Sequence, residues 1–207
     1  MKRKILIASG NKGKIAELSA MLDCDAEWVC LSDIDGITEV EEDGLSFAEN
    51  SQKKAIGYAK QAGLWTIADD SGLVVDALGG KPGIMSARFS GEKEANKQRG
   101  LLDHRNMAKV LRLLEGTATE KRTARFVCHL CLASPDKILL ETEGMLEGVI
   151  AEKECGDNGF GYDPIFFVPK FKKTIAQMGN GEKNIISHRA NAIAKLKPLL
   201  AELLGNE

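Results

Sequence analysis

Apolar residues follow two kinds of pattern in the first part of the chain, and together these predict alternating strands and helices. Lys4–Ala8 is a short, largely apolar run of strand length. A polar turn that contains glycine follows it, and from Ile15 onwards apolar residues recur at helical spacing. Glu27–Leu31 is a second strand-like run. The predicted order is therefore strand, loop, helix and strand.

A second helix is marked by signals at both of its ends. Ser46–Glu49 has the pattern S-x-x-E, in which the serine and glutamate side chains satisfy backbone donors at a helix start. Apolar residues then recur at helical spacing, and Gly63 is suited to the position after the last helical turn. The pattern predicts a helix that starts after Ser46 and stops at Gly63.

Two short strand-like runs, Trp65–Ala68 and Leu73–Val75, flank the sequence Asp-Asp-Ser-Gly at residues 69–72. These four residue types are typical of a tight turn, so the sequence predicts a turn between two strands. Asp69 and Asp70 are then expected at a strand end. Functional groups of α/β sheets are often found at such positions.

The second half of the chain contains a loop, a helix and a hairpin. The glycine-rich stretch Gly79–Gly91 predicts a loop, and apolar residues at helical spacing predict a helix over Asn106–Leu114. Thr123–Ala133 and Ile138–Ile150 are strand-like and are joined around Pro135-Asp136, which predicts a hairpin.

The last part of the chain predicts a strand and a long helix. Ile165–Val168 is a short apolar run that predicts a buried strand, after a loop at Gly156–Pro164. Ser187 is placed to cap a final helix, and Pro198 falls inside that helix. Because proline lacks the backbone donor, we expect Pro198 to kink the helix or to break it into two pieces.

These elements predict one compact α/β domain over residues 1–207, with a mixed sheet that contains both crossover connections and a hairpin. The composition agrees, since 43% of the 207 residues are hydrophobic and 28% are charged, as in soluble globular proteins. A chain of this length can bury one sizeable core. Neither repeats nor low-complexity linkers interrupt the sequence.

Charge and cysteine content restrict the class of protein. Twenty-eight Lys and Arg residues against 30 Asp and Glu give a net charge of −2, so no cationic surplus favours a nucleic-acid strand or a membrane surface. No apolar run has the length of a membrane-spanning helix or a signal peptide. Cys128 and Cys131 form a C-x-x-C within a strand-like run, and we interpret them as buried thiols rather than a redox motif. A reducing, cytoplasmic location is expected.

The segment between the first strand and the first helix suits a phosphate group. Its glycines allow the backbone to approach a ligand closely, the helix start directs free N–H groups outward, and two lysines add full charges. The glycines are too close together for the P-loop pattern. A solvated turn is the alternative for this segment on its own. Its residues are Ser9, Gly10, Asn11, Lys12, Gly13 and Lys14.

Two acidic groups point to a metal ion. Glu41–Asp43 precedes the capped helix, and Asp69 is adjacent to Asp70. Adjacent carboxylates repel one another unless a cation lies among them, and Mg²⁺ is usually held by one or two carboxylates, phosphate oxygens and water. Together with a phosphate-binding segment, they indicate metal-assisted phosphoryl chemistry. Solvated surface charge is the alternative for each group on its own.

Two further segments suit a planar base. In Gly159–Pro164 an aromatic ring lies between two glycines that leave its faces accessible for stacking, and Asp163 can accept hydrogen bonds. A glycine-rich turn with a core aromatic is the alternative. Glu182–Arg189 clusters a lysine, His188 and Arg189 at the predicted start of the final helix, where anions and carbonyl groups are favoured partners.

Taken together, these segments resemble the noncanonical purine nucleoside triphosphate pyrophosphatases, the inosine/xanthosine triphosphatase family. The resemblance covers nearly the whole chain and consists of six motifs in the order of that family. They are S-G-N-K-G-K at residues 9–14, E-D-G with S-F-A-E-N at 42–50, A-D-D-S-G-L at 68–73, G-G-K-P-G-I with S-A-R at 79–88, G-F-G-Y-D-P at 159–164 and S-H-R at 187–189.

The resemblance implies a fold and a reaction. The fold would be an elongated α/β protein of two lobes around a long mixed β-sheet, with the nucleotide in the cleft between the lobes, usually as a homodimer. The reaction would be the Mg²⁺-dependent hydrolysis of ITP, dITP or XTP to the nucleoside monophosphate and pyrophosphate. Such an enzyme removes these nucleotides from the cellular pool.

The resemblance also implies roles for individual residues. Glu42 and Asp70 would hold Mg²⁺, and Asp70 would activate the water that attacks the α-phosphorus, with Asp69 as the second choice. The triphosphate would be neutralised by Asn11, Lys14, Lys54 and Lys183, and Ser71 would touch the substrate near the reacting centre. The base would be contacted by Phe160, which stacks on it, and by Asp163, His188 and Arg189. Further substrate-binding positions would be Ser9, Gly10, Lys12, Gly13, Gly161 and Tyr162.

Two alternative functions remain open from the sequence. One is a related pyrophosphatase, of the septum-inhibitor type, that acts on modified pyrimidine triphosphates. The other is a nucleotide-binding regulator without turnover. For a purine enzyme, Arg and His donors facing the 6-position would favour a keto oxygen over the amino group of adenine, because the amino group would leave two donors opposed.

Overall fold

The computed structural model describes residues 2–22, 25–91 and 99–205, except the side chain of Arg99, and these residues form seven strands and five α-helices. The strands are β1 (Arg3–Ala8), β2 (Ala26–Cys30), β3 (Trp65–Val75), β4 (Thr123–Ala133), β5 (Ile138–Ile150), β6 (Phe166–Val168) and β7 (Lys173–Thr174). The helices are α1 (Lys12–Met21), α2 (Phe47–Ala62), α3 (Arg99–Leu113), α4 (Asn180–Ile186) and α5 (His188–Gly205). Several short 3₁₀ turns connect them.

The seven strands form one mixed sheet in the order β2-β1-β3-β4-β5-β6-β7. Strand β1 is parallel to both β2 and β3, whereas β6 is antiparallel to both β5 and β7. Parallel neighbours require crossover connections, which α1 and α2 supply. The predicted α/β class with a mixed sheet is confirmed.

Within the described residues the chain divides into two compact units. The first unit comprises residues 1–70, 128–144 and 188–207, and the second comprises residues 71–127 and 145–187. Each unit has its own buried apolar core, since no residue of the second unit's main cluster belongs to the first unit.

The core of the first unit follows from the alternation of side chains along buried strands. Ile5 and Ile7 of β1 pack in one cluster with apolar residues of α1 and α5, while Leu6 and Ala8 pack in another with residues of α2. Successive strand residues point to opposite faces, so a strand covered by helices on both faces is apolar throughout. The run Lys4–Ala8 has this composition.

The elements with clear local signals lie where they were predicted. Ser46 caps α2 by accepting a hydrogen bond from the backbone of Glu49 at 3.1 Å, and Gly63 follows the helix in the left-handed conformation at φ 65°. The strands of the hairpin, β4 and β5, have the predicted bounds. Helix α3 begins at Arg99, earlier than predicted, and the predicted loop at 79–91 contains a 3₁₀ segment, Gly83–Arg88.

The predicted turn at residues 69–72 is wrong, and so is one of the two alternatives for Pro198, a break of the final helix. Asp69–Gly72 is no turn, because β3 continues through it from Trp65 to Val75; buried cations around the carboxylates outweigh the turn preference of these residue types. Pro198 does not break α5, which runs to Gly205 with buried apolar residues on both sides of the proline. Tertiary packing holds that helix together.

Ser187 lies directly before α5, as predicted, but it also ends the short helix α4. Lys183 therefore belongs to α4 and not to the start of the final helix. Cys128 and Cys131 are buried and free, which confirms the prediction of buried thiols; Cys24 lies outside the described residues. No helix in the described part of the chain is long and apolar enough to cross a membrane.

Candidate active site

The first group of predicted site residues lies where β1 ends beside β3, which itself continues to Val75. Ala8, the last residue of β1, pairs in parallel register with Ala68, so Asp69 is one position beyond this pair. Asn11 caps α1 by accepting hydrogen bonds from the backbone of Gly13 at 2.9 Å and of Lys14 at 3.4 Å. The start of α1 is thereby fixed beside the end of β1.

Helix α1 begins with two lysines, Lys12 and Lys14, and has no acidic residue in its first turn. Cations at a helix N-terminus are unfavourable with respect to the helix dipole, whereas an anionic ligand there is favoured. The arrangement fits a helix start that binds phosphate.

The neighbouring carboxylates of Asp69 and Asp70 lie in different surroundings, because successive side chains of a strand point to opposite faces of the sheet. Ile67, two residues before Asp69, packs in the core with α1 and α5. Ala68, two residues before Asp70, packs in the core with α2. Asp69 thus faces α1 and α5, and Asp70 faces α2.

Asp69 is held among buried cations. Its carboxylate forms ion pairs with Lys14 of α1 and with Arg189 of α5, whose Nε lies 3.0 Å from Oδ2. Cys128 of β4 donates its thiol hydrogen to the same Oδ2 at 3.0 Å. Arg189 also pairs with Glu17, which lies one turn after Lys14 in α1. The group ties α1, β3, β4 and α5 together.

These contacts determine the protonation of Asp69. Burial alone would raise the pKa of this carboxyl, but the charges of Arg189 and Lys14 hold its pKa well below the usual range. Burial, and then the charge of Asp69, raise the pKa of the Cys128 thiol well above its usual value. Asp69 is therefore ionised and Cys128 is a protonated donor.

Asp70 faces a different group, centred on the ammonium of Lys54 in α2. Lys54 Nζ lies 3.0 Å from Oε2 of Glu42 and 3.7 Å from Oδ1 of Asp70, and donates to the backbone oxygen of Asp69 at 2.7 Å. Burial disfavours the charged lysine, yet the carboxylates of Asp70 and Glu42 raise its pKa.

Burial raises the pKa of Asp70, and the nearby carboxylates of Glu42 and Asp69 act in the same direction. Lys54 and Lys14 oppose this shift without reversing it. Two neighbouring aspartates therefore have pKa values displaced in opposite directions. A raised pKa brings a carboxylate closer to the basicity that proton transfer near neutral pH requires.

The carboxylates around Lys54 supply part of the oxygen ligand set that a hard divalent cation requires. Glu42 and Asp70 come from separate segments but approach one ammonium, so a cation can be placed between two oxygen ligands. No group of three or more His, Cys, Asp or Glu side chains that could hold a metal occurs among the described residues. Two carboxylates fit Mg²⁺, which commonly completes its coordination with water and phosphate oxygens.

A second group of predicted residues lies in the second unit. Lys183 of α4 forms a buried ion pair with Asp163 at 2.5 Å, and its ammonium lies 4.4 Å from the ring centroid of Phe160. Asp163 also accepts a hydrogen bond from the backbone of Phe160 at 2.9 Å. Gly159 has φ 82°, and a Cβ there would overlap the Asp163 carboxylate, so this loop requires glycine.

The loop around Phe160 is held from both sides. Gly161 donates its backbone N–H to Asp103 of α3 at 2.9 Å. Tyr162 is buried and donates its hydroxyl to the backbone oxygen of Ser86 at 2.7 Å. Phe160 is half-buried between these fixed neighbours. Hydrogen bonds thus fix the backbone on both sides of the Phe160 ring, and Lys183 lies beside the ring.

The structure distributes the predicted residues between two groups. The first unit holds Ser9 to Lys14, Glu42, Lys54, Asp69, Asp70, His188 and Arg189; the second holds Ser71, Phe160 to Asp163 and Lys183. Lys183 contacts Asp163 and Phe160, although the sequence grouped it with His188 and Arg189. Ser71 follows Asp70 in β3 and is half-buried, and His188 is buried at the start of α5.

Sequence reasoning missed three residues of these groups, namely Glu17, Cys128 and Asp103. Glu17 had a signal, since it follows Lys14 at a spacing that places both on one face of a helix. Cys128 and Asp103 had none, because their contacts with Asp69 and Gly161 join residues far apart in sequence.

Known proteins are similar to this chain in sequence and in fold. A sequence profile described as the Ham1 family matches residues 5–199. The chain belongs to the Ham1 family. A relative from Desulforamulus reducens, named dITP/XTP pyrophosphatase, is 46% identical over 201 residues, which cover 97% of this chain and 96% of the relative.

Solved structures of Ham1 proteins have the same fold. The Ham1 protein of Staphylococcus aureus superposes with a TM-score of 0.84 at 41% identity, covering 97% of this chain and all of the other. A Ham1 protein from Coxiella burnetii gives a TM-score of 0.85 at 38% identity, covering 97% of this chain and 99% of the other. The similarity extends over the two groups of residues described above.

Proposed function

We propose that this member of the Ham1 family hydrolyses deaminated purine nucleoside triphosphates, dITP, XTP and ITP, to the nucleoside monophosphate and pyrophosphate. Its relative from Desulforamulus reducens carries the name of a dITP/XTP pyrophosphatase. The observation that carries the proposal is the opposed surroundings of Asp69 and Asp70, beside a helix start with two lysines.

Asp70 is the proposed general base. Its carboxylate accepts a proton from the attacking water, the water oxygen bonds to the α-phosphorus, and the bond from the α-phosphorus to the bridging oxygen of the β-phosphate breaks. Pyrophosphate leaves with the electron pair of that bond. The raised pKa of Asp70 suits this role, whereas Asp69 is already engaged by Arg189, Lys14 and Cys128. Asp69 is a positioning residue.

Phosphoryl transfer depends mainly on charge neutralisation and orientation, because no protein nucleophile is needed. Lys14, Lys54 and the backbone donors at the start of α1 are proposed to bind the triphosphate. Glu42 and Asp70 are proposed to hold Mg²⁺. When bound, the cation would neutralise phosphate oxygens and orient the substrate.

The second group is proposed to bind the base. Phe160 is fixed by its loop and can stack on a purine ring, while Asp163 and Lys183 supply an acceptor and a donor beside it. His188 and Arg189 are proposed to favour a keto oxygen at the 6-position. Arg189 is paired with Asp69 and Glu17 in this structure, so contact with a base requires its side chain to exchange partners.

A homodimer in the cytoplasm completes the proposal, with no nucleic-acid strand as partner. The homodimer rests on the family resemblance, the cytoplasmic location on the cysteine pattern, and the exclusion of a nucleic-acid strand on the balanced total charge.

The proposal is tested by incubating the purified chain with dITP, XTP and ITP, with and without Mg²⁺, and analysing the products. Pyrophosphate and the monophosphate should appear only with the metal. Orthophosphate as the sole direct product would refute the reaction.

Canonical purine triphosphates and modified pyrimidine triphosphates belong in the same panel. Faster turnover of the pyrimidines would favour the septum-inhibitor type. Binding of dITP without turnover would favour a regulator.

A further inference from the structure

The segment 38–45, which supplies Glu42, is bound along α2 at successive helical turns. At its first residue, Thr38 donates its backbone N–H to Oε1 of Gln61 at 2.8 Å, and Gln61 donates its amide hydrogen back to the Thr38 oxygen at 3.1 Å. This pair fixes both backbone groups of Thr38 near the C-terminal end of α2.

Two residues further on, Val40 packs directly against the helix backbone at Gly57. The backbone N–H of Val40 donates to the hydroxyl of Tyr58 at 3.3 Å. A Cβ at Gly57 would lie only 2.8 Å from Cγ2 and 3.0 Å from Cγ1 of Val40. Glycine inside a helix costs about 1 kcal/mol relative to alanine, so the close approach of Val40 accounts for its presence.

The other end of the segment is held near the N-terminal end of α2. Gly44 donates its backbone N–H to Oδ1 of Asn50 at 2.8 Å, and Leu45 donates to Oε2 of Glu49 at 2.7 Å. Gly44 also lies close to the helix, since a Cβ there would be 2.7 Å from Asn50 Oδ1.

The length of the segment limits how far it can move away from α2. From Gln61 to Glu49 the helix advances by about 18 Å at 1.5 Å per residue. Seven residue steps from Thr38 to Leu45 span at most about 23 to 25 Å when fully extended. The segment thus covers roughly three-quarters of its greatest reach. Because it is also held at both ends and at Val40, Glu42 has a restricted range of positions over Lys54.

We propose that contacts remote from the site, the Gln61–Thr38 pair and the packing of Val40 on Gly57, position Glu42 for the divalent cation. Gln61, Val40 and Gly57 are positioning residues that act through the segment 38–45. The inference rests on the proposed metal role of Glu42. It adds that the far half of α2 controls metal affinity.

The test measures Mn²⁺ binding to the full chain by the electron paramagnetic resonance of free Mn²⁺, since Mn²⁺ takes the same oxygen ligands as Mg²⁺. Gly57→Ala should weaken Mn²⁺ binding about tenfold, the scale found when outer contacts of metal ligands are lost. The helix itself should be no less stable, because alanine favours helix. Val40→Ala added to Gly57→Ala removes the clashing methyl groups and should restore most of the affinity.

Gln61→Ala, which adds no bulk, should weaken Mn²⁺ binding in the same direction. Gly100→Ala is the matched control, because a Cβ at Gly100 meets no atom within 4 Å in the described part of the chain. Unchanged Mn²⁺ affinity in both Gly57→Ala and Gln61→Ala overturns the inference, as does a loss in Gly57→Ala that Val40→Ala does not restore.

The unmodified chain separates failure of the inference from failure of the proposed function. If it binds no Mn²⁺ but still releases pyrophosphate, the metal role of Glu42 fails and the inference fails with it. If it neither binds Mn²⁺ nor releases pyrophosphate, the proposed function itself fails.

Discussion

The two faces of β3 at Asp69 and Asp70 present different partners to neighbouring carboxylates. On one face, Asp69 is enclosed by Lys14, Arg189 and the Cys128 thiol. On the other face, Asp70 lies beside Lys54 and shares it with a second carboxylate. Identical side chains one residue apart thus receive opposite pKa displacements.

The difference shows that the surroundings, and not the residue type, displace the pKa values of the two carboxylates in opposite directions. A carboxylate that is fully paired stabilises the fold and is a poor base. A carboxylate that is buried beside other carboxylates costs stability and is a better base. Changes at Asp70 should therefore alter mainly the activity, and changes around Asp69 should alter mainly the free energy of unfolding.

The largest expected effect is a loss of activity when Asp70 is substituted. Asp70→Asn removes the proposed base and should lower the rate of pyrophosphate release from dITP about 10³-fold, within the range of general-base contributions. Binding of dITP, measured by calorimetric titration, should be largely retained because Lys14 and Lys54 remain. A variant with full activity would show that Asp70 is not the base.

On the Asp69 face, the largest effect should be on stability. Arg189→Met leaves Asp69 and Glu17 buried with one cation fewer, and breaking such a pair typically costs 3–5 kcal/mol, so the free energy of unfolding should fall by about that amount. Arg125→Met is the control, because Arg125 pairs with Asp76 in a partly exposed position and should cost at most about 1 kcal/mol. Equal losses in the two variants would contradict the role of the buried group.

Lowering the pH should first reduce the activity, through Asp70, and only at a lower pH reduce the stability, through Asp69. The pKa of Asp70 is raised in the metal-free chain, so a proton competes with Mg²⁺ for this carboxylate more readily than for an ordinary aspartate. Activity at limiting Mg²⁺ should therefore fall as the pH drops through a value above the usual aspartate pKa of about 3.9. The pKa of Asp69 is lowered, so its contribution to stability is complete above about 3.9 and is lost only as the pH falls through the lower, folded-state value. Activity and circular dichroism measured over one pH series should show a folded, reversibly inactive state. Simultaneous loss of activity and structure would contradict the comparison.

The smallest effect is expected at Cys128. Cys128→Ala removes one hydrogen bond to the ionised Asp69 and should lower the free energy of unfolding by about 1–2 kcal/mol, measured in urea. Cys128→Ser keeps a donor at this position and should retain more stability than the alanine variant. The reverse order would show that packing, and not the hydrogen bond, decides the effect.

Local signals predicted much of the fold. The capped helix from Ser46 to Gly63 and the hairpin strands β4 and β5 were identified because their caps, periodicity and turn residues are adjacent in sequence. The continuation of β3 through Asp69 was not, because it depends on Arg189, 120 residues away. Cations that neutralise a carboxylate from distant elements leave no local pattern.

The sequence motifs predicted which residues belong to the candidate site, but not which of them form ion pairs with one another. Glu42, Lys54 and Asp70 were each singled out, yet only the folded chain shows that one ammonium contacts both carboxylates. Lys183 was grouped with its neighbours along the sequence, whereas the end of α4 at Ser187 separates them. Residues that are close in sequence need not belong to one site when a helix ends between them.

The central claim, that Asp69 holds the fold and Asp70 does the chemistry, is tested most directly by urea unfolding of Asp69→Asn and Asp70→Asn at pH 7. The two substitutions are chemically identical and one residue apart. We expect Asp69→Asn to lose about 3 kcal/mol of unfolding free energy, because a buried ion pair is broken. Asp70→Asn should lose no unfolding free energy or should become more stable. Equal losses, or a greater loss in Asp70→Asn, would contradict the claim.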